Sequence, residues 1–493
     1  MYAFHTIRTI ARFEIKTLFR SWFFRIFAGL SIIALGIFNI AVFNINSGAP
    51  WIFRALPASI PYANLIILNL GQAIVAVFLA SEFLKQDKKN DTVEVIYARS
   101  MTNAQYIAGK SLGILTIFIL LNFIILLVGI GFSFLTTDSA KSVLDFFLYP
   151  LLISIPTLVF IFGLSFFTMT LLKNQAITFI LLLGYIALTV FYLNQKYYHL
   201  FDFIAYQVPM MNSTIAGFGN LTEIIIHRSI YFLIGIGLIL FTIFKLSRLP
   251  QSKKLTSLPL FLAILFIAAG IFLGYRYINL KQRNVDQKKQ MIDLNNQYAD
   301  YPIVYIEKCT IELEHMHENI SATAQLKIKN KTNNPIDTLL FSLNPSLKID
   351  ALQINNEEYT FIRNYHLVKI PYPKMLPSES GLDISFTYEG SINENTHFLD
   401  KDPEEFSDNF ALNMYMVRKR FAYIEKDFVC LTRESLWYPV SGVTYSTKKP
   451  ANYQPDFTTF SLEVKTSPQL TAVSQGEGTE TDNGSFNFKN TQP

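Results

Sequence analysis

Leu258-Pro-Leu-Phe-Leu-Ala-Ile-Leu-Phe-Ile-Ala-Ala-Gly-Ile-Phe-Leu-Gly-Tyr-Arg-Tyr277 carries one charge in twenty residues, Arg276 near its end. About twenty apolar residues cross a bilayer, so the stretch reads as a membrane span. It also divides two unlike kinds of chain. Residues 1–280 hold 20 Lys and Arg against 9 Asp and Glu, a net of +11, whereas residues 281–493 hold 22 against 28, a net of −6. The whole chain of 493 residues is 51% apolar and only 16% charged. Soluble chains carry about 25% charged residues, which excludes an ordinary soluble enzyme. The overall charge of +5 averages a basic membrane part with an acidic soluble part, so it gives no reason to expect nucleic acid as a partner.

Outward from 258–277 toward the N-terminus, further uncharged runs are long enough to span: 22–44, 60–83, 112–135, 147–171, 175–194 and 229–246. With 258–277 they make six spans and a seventh. The run 203–222 is uncharged too, but Pro209, Asn212 and Asn220 interrupt it, and it reads as short extracytoplasmic or re-entrant helices. Residues 3–20 precede the first span as an amphipathic helix. Arg8, Arg12, Lys16 and Arg20 form one stripe, and Phe4, Ile7, Ala11, Ile15 and Leu18 another, a pattern suited to anionic membrane lipid. With the N-terminus in the cytoplasm, inside segments carry 14 Lys and Arg and outside segments before the seventh span carry four. That bias sets the orientation. The seventh span then delivers everything after Ile278 to the extracytoplasmic (periplasmic) side of a cell inner membrane. Charge is nearly absent within these ranges, which argues weakly against ion pumping and for a lipid-like or bulky apolar cargo, or for a path at a subunit interface.

Beyond a polar, helix-compatible stalk at 279–300 the pattern turns to period two. Ile303, Tyr305 and 310–314 read as one strand, and Ile320, Ala322, Ala324, Leu326 and Ile328 as a second. Further strands are expected at 337–343, 347–354, 358–363, 366–370, 382–389, 409–416 and 457–465, separated by turn signals that include Pro371, Pro373 and Pro377. Many short alternating strands predict an antiparallel β-sandwich. Cys309 and Cys430 are the only cysteines. They could pair in an oxidising compartment, but read more simply as two buried thiols. Trp437 and Tyr438 read as core aromatics, and Arg418-Lys419-Arg420 as a solvated face.

Loop 84–110 contains Asp91-Thr92-Val93-Glu94-Val95-Ile96 and ends Ala108-Gly109-Lys110. On spacing alone it is equally a solvated loop or a short docking helix. Together with the Glu82 region these stretches resemble the loop between the second and third spans of type-2, exporter-type ABC permeases. There an acidic or glycine residue, then Thr-x-Glu, a short coupling helix and a terminal Gly-Lys face a separate nucleotide-binding subunit. The N-terminal helix resembles the elbow helix of that family. Asn90 or Asp91 stands where the family often has Gly. The resemblance covers about 3–248 and implies an ATPase-coupling loop carried by Asp91, Thr92, Val93, Glu94, Val95, Ile96, Gly109 and Lys110. It further implies an ATP-binding partner subunit and a permease dimer. Gly109-Lys110-Ser111 also looks like the end of a P-loop, but Ala104 occupies the position of the first glycine and no strand precedes it, so ATP is expected on the partner alone.

The soluble part resembles another family. Lys329-Asn330-Lys331-Thr332, Pro335-Ile336-Asp337, Trp437-Tyr438-Pro439, Phe460-Ser461-Leu462-Glu463-Val464 and 470–476 look like the N-terminal β-domain of aminopeptidase N-like metallopeptidases (gluzincins, M1 type). Their chemistry needs H-E-x-x-H, two His holding zinc and a Glu acting as base. This chain has none. His317-Glu318 lacks the second His, and His315 with His317 makes too few ligands for zinc. No enzyme activity, catalytic residue, metal ligand or cofactor is therefore expected in this chain, and zinc belongs only to a catalytic domain expected to be missing after Pro493.

The expected organisation is an elbow helix at 1–21, a six-span permease at 22–248, a seventh span at 249–278, a stalk at 279–300 and an incomplete β-domain at 301–493. The expected function is the permease subunit of an ABC-type transporter. The alternatives are a membrane-anchored zinc aminopeptidase lacking its catalytic domain, and a membrane-tethered binding module.

Overall fold

A computed structural model describes residues 2–43, 56, 58–81, 101–136, 142–215, 217–246, 257–401, 420–443, 458–482 and 484–490. The chain forms two compact units, one over residues 1–281 and one from Gln282 onward.

The first unit is helical: α1 (Tyr2–Arg20), α2 (Trp22–Phe43), α3 (Ser59–Ser81), α4 (Asn103–Thr136), α5 (Val143–Leu172), α6 (Gln175–Phe191), α7 (Leu221–Lys245) and α8 (Ser257–Gln297) as far as Lys281. Six of these, α2, α3, α4, α5, α7 and α8, are long and apolar enough to cross a membrane. The expected fifth span is shorter than the others. Its helix, α6, has 17 residues, about 26 Å of rise against a hydrocarbon core of about 30 Å. Seventh span and stalk are one uninterrupted helix of 41 residues, because no proline or glycine separates the apolar run from the polar one.

Glycines set the closest approaches. A Cβ on Gly109 would stand 2.7 Å from the Ile10 Cβ, and one on Gly113 would stand 2.7 Å from the Glu14 Cβ, so this Gly-x-x-x-Gly face of α4 seats α1. The stripe Arg8, Arg12, Lys16 and Arg20 stays exposed, while Ile7, Ala11, Ile15 and Leu18 turn inward; Phe4 lies outside that face, 73% exposed. A Cβ on Gly163 would stand 2.3 Å from the Gly235 carbonyl oxygen, which brings α5 and α7 into backbone contact.

Charge is present within the helices after all. The apolar ranges begin at 112, 147 and 229, but the helices begin at Asn103, Val143 and Leu221 and so take in Lys110, Asp145, Glu223 and Arg228, all buried. Each has polar company that hydropathy does not register. Lys110 lies 3.8 Å from Glu14, Asp145 accepts from Asn212 at 2.9 Å, and Glu223 binds Lys281 at 2.6 Å. An inference about apolar cargo from missing charge is thereby withdrawn.

The second unit is β-rich. Its larger sheet has the order β13-β14-β12-β1-β2-β8-β4-β5 and a second sheet has the order β11-β3-β7-β6. Here β1 is Tyr305–Met316, β2 Asn319–Lys329, β3 Ile336–Ser342, β4 Leu347–Ile354, β5 Glu357–Glu358, β6 Ile362–Asn364, β7 Leu367–Leu376 and β8 Gly381–Gly390. A short pair, β9 (Tyr423–Ile424) and β10 (Val429–Cys430), precedes β11 (Val440–Ser441), β12 (Thr459–Lys465), β13 (Glu477–Asp482) and β14 (Ser485–Lys489). Alternating residues of both sheets share one core, with Phe341 of β3 against Phe386 of β8 at 5.3 Å, as in a sandwich.

The sandwich differs from its expectation in two ways. It is not wholly antiparallel, because β1 and β12 pair in parallel, Lys308 opposite Thr459 through Glu314 opposite Lys465. Pro371 and Pro373 also lie inside β7 rather than ending it. Strand β6 pairs only with Leu367–Lys369, so beyond that point one edge of β7 needs no donor and tolerates proline. The expected strand 409–416 lies outside the described residues.

Candidate functional site

The segment between α6 and α7 has two 3-10 turns, Leu193–Gln195 and Tyr197–His199, and thereafter no helix among the described residues up to Asn220. Its interruption by Pro209, Asn212 and Asn220 was legible, but the expected short helices are absent beyond 199. Its middle is nevertheless buried: Asp202, Phe203, Ile204, Ala205, Val208, Met210 and Met211 are each at most 3% exposed, while Phe201 and Tyr206 face outward. Irregular backbone inside an apolar bundle needs partners for its carbonyls. Here side chains from the helices supply them.

Tyr277 of α8 donates to the Tyr198 carbonyl at 2.9 Å. His227 of α7 meets the His199 carbonyl at 3.1 Å, and the Tyr231 hydroxyl donates to that of Leu200. Arg228 and Thr157 both donate to the Phe203 carbonyl at 2.9 Å. Asn69 of α3 serves Ile204 at 2.9 Å, and Tyr149 of α5 serves Met210 at 2.9 Å while accepting from the Asn212 N–H at 2.8 Å. Residues 198–212 are thus strapped into the bundle from α3, α5, α7 and α8.

Arg228 sits at the centre of this arrangement for a local reason. Helix α5 contains a π-helical turn, Pro150–Ser154, followed by Pro156, which has no N–H to offer the preceding turn. Arg228 supplies a donor there, with Nε to the Leu152 carbonyl at 2.7 Å, and its Nη2 binds that of Ile153 at 2.9 Å. Nη2 also reaches the Thr157 Oγ1 at 2.7 Å. The contact of Gly163 with Gly235 makes this reach possible, because it draws α5 and α7 together about two turns away.

A row of polar side chains continues from Thr157. Asn69 donates to Thr157 Oγ1 at 3.0 Å, Gln72 to Asn69 at 2.8 Å, Asn122 to Gln72 at 3.2 Å and Ser154 to Asn122 at 2.9 Å. Asn69, Gln72, Asn122, Ser154 and Thr157 are all fully buried. Beside the row, Asp202 closes the strap on itself, accepting from the Gln207 N–H at 2.6 Å. Four non-glycine residues of the segment hold left-handed backbone: Tyr197, Tyr198, His199 and Ala205. Such residues cost about 1 kcal/mol or more each and persist only where their surroundings enforce them.

The residues singled out in the sequence fare differently. Asp91, Thr92, Val93, Glu94, Val95 and Ile96 lie outside the described residues. Gly109 and Lys110 are in the first turns of α4 and face α1, Gly109 as a close-packing position and Lys110 as the buried partner of Glu14. That is where the structure puts two members of the expected coupling loop.

In the β unit, His315 meets Thr466 Oγ1 at 3.0 Å and the His317 carbonyl at 2.7 Å, while His317 occupies the two-residue turn after β1 with φ 58°. Among the described residues no three His, Cys, Asp or Glu side chains converge as metal ligands. Cys309 is buried, its thiol pushed up to about 12 by burial, and Cys430 is part-buried; neither is in a disulfide. Trp437 is in the core and Tyr438 packs against it. Arg420 is paired rather than merely solvated, binding Glu394 and Glu425 at 2.7 Å each; Arg418 and Lys419 lie outside the described residues.

Sequence reasoning missed Arg228, counting it only as a loop cation. Its signal was an arginine seven residues into an apolar helix whose neighbour helix carries Pro156.

No family model matches the chain, and no curated protein matches it. Among solved structures it is similar to an M1 zinc metallopeptidase from Deinococcus radiodurans, at 16% identity over 38% of this chain and 39% of that one, with a TM-score of 0.27. It is also similar to native yeast LTA4 hydrolase, at 12% identity over 39% of this chain and 27% of that one, with a TM-score of 0.25. The chain therefore spans at most about two fifths of the length of these structures.

Proposed function

We propose that the chain is the membrane-spanning permease subunit of an ABC-type transporter, coupled through loop 84–110 to a separate ATPase. In this reading the β-rich unit is an accessory on the extracytoplasmic side of the cell inner membrane, and two permease chains work as a dimer. The observation that carries the reading is the seat of α1 on α4. An amphipathic helix with an exposed basic stripe is held by Gly109 and Gly113 and by the buried Glu14–Lys110 pair, immediately after the loop that resembles a coupling loop. A helix at the headgroup level that is locked to the exit of that loop would pass a push on the loop directly into α4. The 14-to-4 Lys and Arg bias supports the orientation.

The test is purification of the full chain from its native membrane under mild detergent. A Walker-type ATPase subunit is expected to accompany it and to be lost when Val93, Val95 and Ile96 are all changed to Asp. Unchanged association in that triple variant would refute coupling through this loop.

A further inference from the structure

We infer that residues 198–212 are a closed gate over the polar row Asn69–Gln72–Asn122–Ser154–Thr157, and that Arg228 is its latch. The inference rests on the transport reading for the purpose of the gate, but not for its existence.

Four observations converge on it. First, the row is costly in an apolar bundle, and intramembrane polar side chains mark paths as well as helix contacts. Second, the row ends on the irregular backbone of the strap, at the carbonyls of Phe203 and Ile204, rather than on another helix. Helix-to-helix adhesion needs no such ending. Third, the strap is strained where it enters, with Tyr197, Tyr198, His199 and Ala205 all left-handed. Backbone in such states stays put only while its clamps hold. Fourth, the entry of the strap is clamped from α7 and α8. Tyr277 on α8 holds the carbonyl of Tyr198, and His227, Tyr231 and Arg228 on α7 hold those of His199, Leu200 and Phe203, while Lys281 of α8 is tied to Glu223 of α7 at 2.6 Å.

Arg228 joins the strap to the broken turn of α5, since the same guanidinium binds Phe203 on one side and Leu152 and Ile153 on the other. A shift of α7 relative to α5 would withdraw donors from both at once. The strap would then lose its charged clamp and keep the weaker neutral bonds from Asn69, Thr157 and Tyr149, and where it lifts the amides of Asn69, Gln72 and Asn122 would face an opening. Arg228 is a positioning residue here, acting on the path through the strap.

The test is thiol accessibility in the full chain, embedded in phospholipid vesicles, with Cys309→Ser and Cys430→Ser as background. A cysteine at the row, Ser154→Cys, is exposed to a small cationic methanethiosulfonate. With Arg228 present it is expected to be protected. With Arg228→Met it is expected to react about tenfold faster or more, because losing the latch raises the open population. Tyr277→Phe, which removes the hydroxyl bonded to the Tyr198 carbonyl, is expected to give a smaller increase in the same direction. Ile114→Cys, fully buried in the same bundle about two turns from Asn122, is the control and is expected to stay protected throughout.

Protection of Ser154→Cys in both latch variants would overturn the gate. Equal reactivity of Ile114→Cys would overturn it too, since Arg228 would then brace the whole bundle rather than one segment. No ATPase enters this measurement, so failure of the transport reading and failure of the gate are read separately.

Discussion

Arg228 binds the Leu152 carbonyl at 2.7 Å, four residues before Pro156 removes the donor that an unbroken helix would have provided there. The arginine and the proline lie far apart in the chain and make sense only together. Replacing Arg228 by Met removes the charged donor from the carbonyls of Leu152, Ile153 and Phe203 and leaves that of Leu152, opposite Pro156, without a helical donor as well. A buried acceptor left unsatisfied costs about 1–3 kcal/mol, so the variant should unfold at a lower temperature in detergent. Arg228→Lys should recover only part of the loss, since one ammonium cannot reproduce the forked geometry. Equal melting of Lys and wild-type chains would count against the fork.

The pair Glu14–Lys110 is buried on both sides, with side chains 6% and 5% exposed. Removing one partner strands a buried charge, at a cost of about 3–5 kcal/mol, whereas replacing both by apolar residues of similar volume is close to neutral. Lys110→Met should therefore release α1, read as faster hydrogen exchange over residues 7–18. The double variant Glu14→Leu, Lys110→Met should restore protection. Exchange in the double variant as fast as in the single one would refute the pairing account.

Glycines of the bundle should separate into two kinds. Gly163→Ala meets the Gly235 carbonyl and should destabilise the protein or splay α5 from α7, whereas Gly184→Ala meets nothing within 4 Å. Alanine favours a helix over glycine by up to about 1 kcal/mol, so the second change should be neutral or mildly stabilising. Thermal melts of the two variants check this directly.

His366 gives the β unit a pH dependence. It is fully buried, its Nε2 is 2.7 Å from the Asn295 Oδ1, and burial, aided by the charge of Arg363, pushes its pKa down to about 3. An unfolded chain takes up this proton near pH 6.5, so unfolding binds a proton between about pH 6.5 and 3 and stability falls as pH falls through that window. At pH 5 the loss attributable to His366 should be about 2 kcal/mol relative to pH 7.5. His366→Gln should flatten that part of the profile in urea titrations; an unchanged slope would show that another group is responsible.

Much of this architecture was legible from periodicity. Uncharged runs gave the apolar helices, and alternation gave β1, β2, β4 and β8 nearly to the residue, because a half-buried strand must alternate. What stayed hidden depended on pairing across long sequence distances. The parallel partner of β1 is β12, some 150 residues away, and nothing local in 459–465 reveals its direction. Strand β13 was missed because Glu477–Asp482 has no apolar side chain to alternate. The strap was recognised as an interruption, but its burial depends on side chains of four other helices. Arg228 was overlooked because hydropathy sets a span boundary at a charge, whereas a buried guanidinium with four acceptors belongs inside one. Gly109 and Lys110 drew attention as the end of a loop, and their packing on α1 is visible only once both helices are built.

The most direct test of the central claim is ATP hydrolysis by the chain purified from its native membrane together with whatever subunit accompanies it. The account predicts ATPase activity that co-elutes with the wild-type chain and disappears from the preparation of the Val93→Asp, Val95→Asp, Ile96→Asp variant. No ATPase activity with the wild-type chain, or the same activity with both, would contradict it.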